Sequence, residues 1–286
     1  MKLSIRHQLK FGYSKPVFLD PTLLRLRPRD DFSQRLESFQ LESDPPPEGR
    51  SDELDLLGNP ALLLWFNGAC SRLSLTVESR VETLLVNPFH YLVTDPQTLK
   101  LPARYHQENR LALNPYLHRP QPDKTVEDLA RSLLMESDDN TLNFLYHATD
   151  YISREFRHVH RAQGEPLAPG KTLRRREGAC RDLAVLFMDI CRSLGLAARF
   201  VSGYKYSPDS ADQNELHAWA EIYLPGAGWR GYDPSWGLAV ADHHVALAAG
   251  PAPLDAMPVT GTFRGTDVLS SLEYSVEIGN LELAKR

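Results

Sequence analysis

The sequence predicts an α+β protein in which an N-terminal antiparallel β domain is followed by a domain of helices packed on an antiparallel sheet. Three observations support this prediction. Short alternating runs fill the first third of the chain, helical patterns gather in the middle, and two alternating strands joined by a turn follow them. This order favours an N-terminal domain at 1–95, a linker at 96–124 and a second domain at 125–286.

The N-terminal β domain is predicted from strands of period two. Residues 3–11 and 73–77 alternate between apolar and polar side chains, and a proline-rich turn at 44–49 separates runs of this kind. The stretch after residue 95 is rich in proline and polar side chains, which is typical of a linker.

Helices are predicted in the middle of the chain from capping signals. Residues 125–128 open one helix, and residues 140–157 form another. A third helix begins near Cys180 and stops at Gly195, because its apolar residues recur at helical spacing. These apolar residues are Leu183, Leu186, Phe187, Ile190, Cys191 and Leu194.

Cys180 is a candidate nucleophile because it lies at the start of this third helix. The unpaired N–H groups and the positive end of the helix dipole favour a thiolate there, and Gly178 allows a tight approach of the chain. Taken alone, Cys180 is equally well explained as a small buried hydrophobic residue. Cys191 lies on the apolar stripe, and we expect it to fill the core.

His217 is a candidate general base on a predicted strand. Residues 215–223 alternate, with Leu216, Ala218, Ala220 and Ile222 on one face and His217, Trp219, Glu221 and Tyr223 on the other. The chain has ten histidines, so the presence of one on a strand is weak evidence by itself.

Asp233 is a candidate orienting carboxylate at the end of the next strand. The turn at 224–227 predicts a hairpin that brings Asp233 beside the strand of His217. A carboxylate there accepts the imidazole N–H and leaves the other ring nitrogen facing a thiol. The alternative is that Asp233 and Pro234 merely begin a turn. Together, the order and geometry of Cys180, His217 and Asp233 favour a catalytic triad.

The segments around these three residues resemble the transglutaminase-like cysteine peptidase superfamily, and more narrowly its bacterial branch with an N-terminal β domain. The resemblance is carried by residues 178–182, 195–204, 216–226 and 229–235. It implies a papain/transglutaminase-like catalytic domain in which Cys180 is the nucleophile, His217 the general base and acid, and Asp233 the orienting carboxylate.

Two departures from the family pattern lie next to the nucleophile. Arg181 replaces a common glutamine and Leu183 replaces a common aromatic residue, and a third departure is the irregular segment 242–244. These changes affect the expected substrate preference more than the chemistry. The backbone N–H of Cys180 is the first expected oxyanion donor. Eukaryotic relatives use a tryptophan as the second donor, and Tyr146 and Tyr151 are the candidate substitutes in this chain.

The triad and the resemblance imply a peptide or protein substrate, and composition is compatible with this expectation without adding to it. The chain has 286 residues and a net charge of -5, and no basic patch dominates, which argues against nucleic-acid binding. No apolar stretch reaches the roughly twenty residues of a membrane span, and no signal peptide is recognised at residues 1–9. A partner of the N-terminal domain is not indicated.

The chain has three cysteines, Cys70, Cys180 and Cys191, without a Cys-x-x-Cys pair. This content argues against a disulfide framework and a thiolate zinc site, and it suits a reducing, cytoplasmic location. The closely spaced histidines at 158–160 and 242–244 do not complete a metal site. We therefore expect no metal and no cofactor.

These observations predict a thiol-dependent enzyme that transfers acyl groups from peptide or isopeptide amides, with hydrolysis favoured. Transamidation to an amine is the first alternative, because the sequence does not determine which acceptor reaches the acyl-enzyme. The second alternative is a non-catalytic module that binds a peptide through Tyr204, Trp219 and Trp236. The aromatic residues are better explained as core or cleft packing.

Overall fold

The computed structural model describes residues 1–161, 164–208 and 215–283. Within this part of the chain, six strands come first. They are β1 (Lys2–Leu19), β2 (Thr22–Leu24), β3 (Gln34–Asp44), β4 (Gly49–Leu54), β5 (Pro60–Trp65) and β6 (Ala69–Thr83). The central helices are α1 (Gln107–Leu117), α2 (Lys124–Met135), α3 (Thr141–Glu155), α4 (Pro169–Arg175) and α5 (Cys180–Ser193).

The remaining strands lie between and after these helices. Two short strands, β7 (Arg157–His158) and β8 (Glu177–Gly178), flank α4. The later strands are β9 (Ala198–Lys205), β10 (Glu215–Leu224), β11 (Gly228–Asp233), β12 (Leu238–Ala239), β13 (His244–Gly250), β14 (Val259–Thr260), β15 (Phe263–Arg264) and β16 (Ser270–Asn280). None of the helices in the described residues is long and apolar enough to cross a membrane.

The predicted N-terminal antiparallel β domain is confirmed. Strands β3, β6 and β1 form one antiparallel sheet, and β4, β5 and β2 form a second. The apolar side chains of β1 and β6 that alternate in the sequence are buried between the sheets, where they remove apolar surface from water. They are Leu3, Ile5, Leu9, Leu73, Leu75, Val77 and Val81.

The predicted second domain contains a further antiparallel sheet packed against helices. Its strand order is β12-β11-β10-β9-β13, and α5 packs on β10 and β9. Leu183 and Phe187 of α5 lie in one apolar core with Ala220 and Ile222 of β10. The helix stripe and the strand face predicted from the sequence are therefore the two surfaces that meet.

The predicted start of α3 is confirmed, whereas the end of α3 and the start of α2 differ from the prediction. Asn140 accepts hydrogen bonds from the N–H groups of Leu142 and Asn143 in the first turn of α3, at 3.0 Å each. The helix ends at Glu155, two residues before the predicted end at 157, because Arg157 begins β7. The cap of α2 is Asp123, whose carboxylate accepts the Thr125 N–H at 2.9 Å, so this helix begins earlier than predicted.

Two features of the structure bear on the predicted division at 1–95, 96–124 and 125–286. The predicted linker contains α1, and its buried residue Ala103 donates its N–H to the carbonyl of Leu194 at 2.8 Å. Strands β14, β15 and β16 of the predicted second domain pair with β2 and β1. Pairing between distant segments leaves no local mark in the sequence, so the exact domain boundaries stay a prediction.

Candidate active site

Cys180 is the first residue of α5, as predicted, and Asp182 caps that helix start. Oδ2 of Asp182 accepts the backbone N–H of Ala179 at 2.8 Å, and the Asp182 side chain is buried. Gly178 is needed just before this turn, because an added Cβ would lie 2.8 Å from Cβ of Asp182. The thiol is thus held at a helix N-terminus that favours its anionic form.

The residues that follow Cys180 also fasten the preceding loop to the helix start. Asp182 accepts a hydrogen bond from the Arg161 guanidinium at 2.6 Å. Arg181 donates to the carbonyl oxygens of Arg161, at 2.7 Å, and Gly164, at 3.0 Å. Arg181, a departure from the family pattern, is therefore engaged in holding the loop beside the nucleophile.

His217 and Asp233 are brought together by the predicted hairpin. Strands β10 and β11 are antiparallel, with Ala220 opposite Tyr232, and the backbone of the turn closes through Ala227. Nε2 of His217 and Oδ2 of Asp233 are 2.8 Å apart, and both side chains are fully buried. Nδ1 of His217 is buried without a hydrogen-bond partner among the described residues, which leaves this nitrogen for the thiol.

The electrostatics of these three groups favour an ion pair of thiolate and imidazolium. Burial raises the pKa of the Cys180 thiol, but interactions with the imidazoles of His158 and His217 outweigh burial and lower it to about 7. Burial lowers the pKa of His217, but the charge and hydrogen bond of Asp233 raise it to about 10. Both shifts favour the state in which the proton is on His217 and Cys180 is a thiolate, the nucleophilic form of the sulfur.

Asp233 remains ionised throughout this range. Burial raises the pKa of this carboxyl, but the charges and hydrogen bonds of His217 and His244 outweigh burial and hold it well below its usual range. The backbone N–H of Ser235 donates to its other oxygen at 3.0 Å. The carboxylate is thus fixed at both oxygens.

His158 lies near the candidate nucleophile, a placement that was not predicted from the sequence. Strand β7 pairs in parallel with β8, so His158 lies opposite Gly178, two residues before Cys180. Its interaction with the Cys180 thiol raises the pKa of His158. The sequence suggested only a weak histidine pair at 158–160, because a parallel pairing of two-residue strands carries no recognisable pattern.

His244 is a second residue that was missed. Its Nε2 lies 3.0 Å from Oδ2 of Asp233, the same oxygen that His217 contacts. Ligand atoms of these three side chains lie within 4.8 Å of one another, a spacing also found in metal sites. Two N–H groups directed at one carboxylate oxygen account for this spacing, so we interpret the trio as a hydrogen-bonded network.

The other two cysteines lack these surroundings. Cys191 is fully buried in the core, and burial raises the pKa of its thiol well above the ordinary value. Cys70 is half-buried on β6, and burial raises its pKa as well. The predicted contrast between Cys180 and Cys191 therefore corresponds to a difference in position and charge environment.

The N-terminal sheet reaches the edge of this site through β16. Oη of Tyr274 lies 3.1 Å from Nε2 of His160, and Nδ1 of His160 lies 3.5 Å from a carboxylate oxygen of Glu215. Burial and the nearby charges of Glu215 and Cys180 raise the pKa of Tyr274. One rim of the site is thus made by a strand that pairs with β1.

The two candidate tyrosine donors to the oxyanion have other surroundings. Oη of Tyr151 accepts a hydrogen bond from Arg176 at 2.6 Å, and Tyr146 is 62% exposed. Of the three aromatic residues of the alternative peptide-binding module, Tyr204 and Trp219 are fully buried. Trp236 is 37% exposed, with the Lys205 ammonium 3.7 Å from its ring centre. These contacts favour packing over peptide recognition.

A pocket of about 150 Å³ lies away from the thiol. It is lined on one side by loop residues of the N-terminal half, including Arg29 and Phe32, and on the other by Trp219, Arg230 and His244. Cys180, His217 and Asp233 are not among its lining residues. The reactive groups therefore lie outside this pocket, on α5, β10 and β11.

Comparisons with known proteins concern the family of the chain. Residues 127–234 match the transglutaminase-like superfamily, and residues 3–82 match the bacterial transglutaminase-like N-terminal region. An uncharacterized protein of Mycobacterium tuberculosis is 26% identical over 295 residues, which cover 96% of this chain and 91% of the relative. An uncharacterized protein of Mycobacterium leprae is 21% identical over 287 residues, which cover 98% and 99%.

A solved structure shares the fold across both parts of the chain. The crystal structure of a Cytophaga hutchinsonii protein, described as a candidate cysteine protease, superposes with a TM-score of 0.73 at 21% sequence identity. The match covers 98% of this chain and 91% of that chain. The two family matches and this shared fold identify the chain as a member of the transglutaminase-like superfamily that carries a bacterial transglutaminase-like N-terminal region.

Proposed function

We propose that the protein is a cysteine peptidase or amidase that hydrolyses peptide or isopeptide amides through Cys180, His217 and Asp233. The observation that carries the proposal is the placement of His217. Its Nε2 contacts Asp233 at 2.8 Å, its Nδ1 is left for the thiol, and the pKa of Cys180 is lowered to about 7. A thiolate at neutral pH is the form that attacks carbonyl carbon.

The proposed reaction begins with attack of the Cys180 thiolate on an amide carbonyl. A carbon–sulfur bond forms and the carbonyl π pair moves to oxygen, where the backbone N–H of Cys180 at the helix start stabilises the charge. Collapse breaks the carbon–nitrogen bond, and the imidazolium of His217 gives its proton to the departing amine. Asp233 keeps the ring oriented and stabilises its cationic form throughout.

The second half of the reaction restores the enzyme. Nδ1 of His217 removes a proton from water as the water oxygen attacks the thioester carbon. The carbon–sulfur bond then breaks, releasing a carboxylic acid and regenerating the thiolate beside an imidazolium. The description of the Cytophaga hutchinsonii protein as a candidate cysteine protease is consistent with water as the acceptor.

The proposed chemistry requires a reduced thiol. A cytoplasmic location would keep Cys180 free, and we propose it on the cysteine content alone.

The test is amide hydrolysis in a panel of peptide and isopeptide substrates. We expect Cys180→Ala and His217→Ala to abolish product release, and Asp233→Asn to reduce it by about a hundredfold or more. Cys191→Ala is the matched control and should retain activity, because Cys191 is core packing. Retention of hydrolysis in both Cys180→Ala and His217→Ala would contradict the proposal.

An added primary amine separates hydrolysis from transamidation. If the enzyme transfers the acyl group to water, mass spectrometry should detect the free acid and no amine conjugate. If ammonia release rises with the amine and a conjugate accumulates, transamidation replaces hydrolysis as the activity. Absence of both products, together with slow alkylation of Cys180 at neutral pH, would favour the non-catalytic module.

A further inference from the structure

His244 lies behind the proposed triad, at the start of β13. The strand pairs with β9, where His244 stands opposite Lys205, and its imidazole is 2% exposed. Nε2 of His244 is 3.0 Å from Oδ2 of Asp233, while Nε2 of His217 is 2.8 Å from the same atom. Both imidazoles therefore contact the same oxygen of Asp233, and His217 is the one of the two whose interaction lowers the pKa of Cys180.

The chemistry of the carboxylate fixes the protons of this network. An ionised carboxylate only accepts hydrogen bonds, so both Nε2 atoms carry hydrogen. His217 therefore presents Nδ1 to Cys180, as the proposed mechanism requires. His244 has the same tautomer when neutral, and its Nδ1 is buried without a hydrogen-bond partner among the described residues.

His244 is a neutral donor, in contrast to His217. Burial lowers the pKa of His244, and the positive charges of His217 and Lys205 act in the same direction, which outweighs the opposing effect of Asp233. A neutral N–H directs the carboxylate without cancelling its charge. The negative charge of Asp233 thus remains available to the imidazolium of His217.

Other titratable groups face His244 from neighbouring elements. The ammonium of Lys205 on β9 donates to Ser207 at 3.0 Å and lies over the Trp236 ring. The pocket on the other side of His244 adds further charged and titratable groups. They are Arg29, Asp31, Arg199, Glu221, Arg230 and Tyr232.

We propose that His244 is a positioning residue of the proposed triad, which holds Oδ2 of Asp233 against His217 by donating its Nε2–H. The inference rests on the proposed function. Ser235 restrains only Oδ1, so loss of His244 removes one of the two contacts that fix the Oδ2 position relative to His217. The imidazolium is then less well stabilised, and less of Cys180 is a thiolate at neutral pH.

The first test compares His244→Phe with His244→Gln. Phenylalanine fills the volume without a donor, whereas the glutamine amide N–H reaches about the position of Nε2. For His244→Phe we expect kcat of amide hydrolysis to fall about 10- to 100-fold with KM little changed. His244→Gln should retain most of the wild-type kcat. His243→Gln is the matched control, because His243 contacts Tyr206 instead.

The second test needs no substrate. The rate of Cys180 alkylation is measured against pH. The midpoint of this curve should move to higher pH in His244→Phe, the same direction as in Asp233→Asn. In His244→Gln the midpoint should return to the wild-type value. A wild-type midpoint and kcat in His244→Phe would overturn the inference, as would equal impairment of the Phe and Gln variants. If His244→Phe does not fold, His244→Asn, whose shorter amide does not reach Oδ2, replaces it.

The two proposals fail in different ways. If Cys180→Ala keeps the hydrolytic activity, the proposed function is wrong, while the alkylation midpoint still measures the effect of His244 on the thiol. If Cys180→Ala is inactive and His244→Phe alkylates as the wild type does, the function stands and the role of His244 is wrong.

Discussion

The carboxylate of Asp182 accepts the backbone N–H of Ala179 at 2.8 Å, one residue before the proposed nucleophile. The same buried carboxylate accepts the Leu167 N–H at 2.7 Å and the Arg161 guanidinium at 2.6 Å. One side chain therefore both caps α5 and fixes the loop beside it.

Asp182→Ala should destabilise the fold. It leaves two backbone N–H groups and a guanidinium without their acceptor, so we expect a loss of about 2–3 kcal/mol in the free energy of unfolding. Urea denaturation measures the change. Asp128→Ala is the control, since Asp128 on α2 is exposed and pairs with exposed Arg131. Equal stability of the two variants would contradict the role given to Asp182.

The reactivity of Cys180 should rise with pH through a midpoint near 7. The pKa of this thiol is lowered to about 7, so the thiolate is lost as pH falls below that value. Alkylation mapped by peptide mass spectrometry should label Cys180 quickly at neutral pH and Cys191 slowly, because burial raises the pKa of Cys191. Similar rates at the two cysteines would count against an activated thiol.

His158→Ala should raise the pKa of Cys180. Interaction with His158 is one of the effects that lower this pKa, so its removal moves the alkylation midpoint to higher pH. His217 remains in this variant, and the midpoint should move less than in His217→Ala. His90→Ala is the control, because His90 is exposed on a loop. An unchanged midpoint would show that His158 does not act on the thiol.

Gly203→Ala should disturb the sheet behind the site. An added Cβ on β9 would lie 2.2 Å from the Val245 carbonyl oxygen and 2.5 Å from the Trp219 ring. We expect a loss of about 1–3 kcal/mol in the free energy of unfolding, measured by thermal denaturation. Gly12→Ala is the control, because the Cβ there meets only the hydroxyl of Ser271, which rotates away. Equal melting temperatures would contradict the close packing at Gly203.

The sequence predicted the parts of the site that depend on local patterns. Cys180 opens an amphipathic helix, His217 lies on an alternating strand, and Asp233 follows a short turn, so each position is marked by the residues immediately around it. His158 and His244 could not be found in this way. Their places depend on pairings with β8 and β9, and the register of β13 shifts between Ala246 and Ala248.

The same distinction applies to the strand pairings that bear on the predicted domain division. The strands of the N-terminal half alternate visibly, and their existence was predicted correctly. Their final neighbours are contributed by residues 259–280, which are separated from β1 in sequence by the whole transglutaminase-like core. Whether two strands so far apart in the sequence pair with each other depends on the assembled sheets. No local sequence pattern near either strand indicates the pairing.

Strand β16 lies against β1 from Leu3 opposite Asn280 to Tyr13 opposite Ser270. During synthesis β1 emerges first and β16 emerges only after the core, so one edge of β1 stays open while most of the protein is being made. Open strand edges invite pairing with other chains, and pairings over long separations form slowly. We therefore expect this sheet, and with it the rim that carries Tyr274, to be completed late in folding.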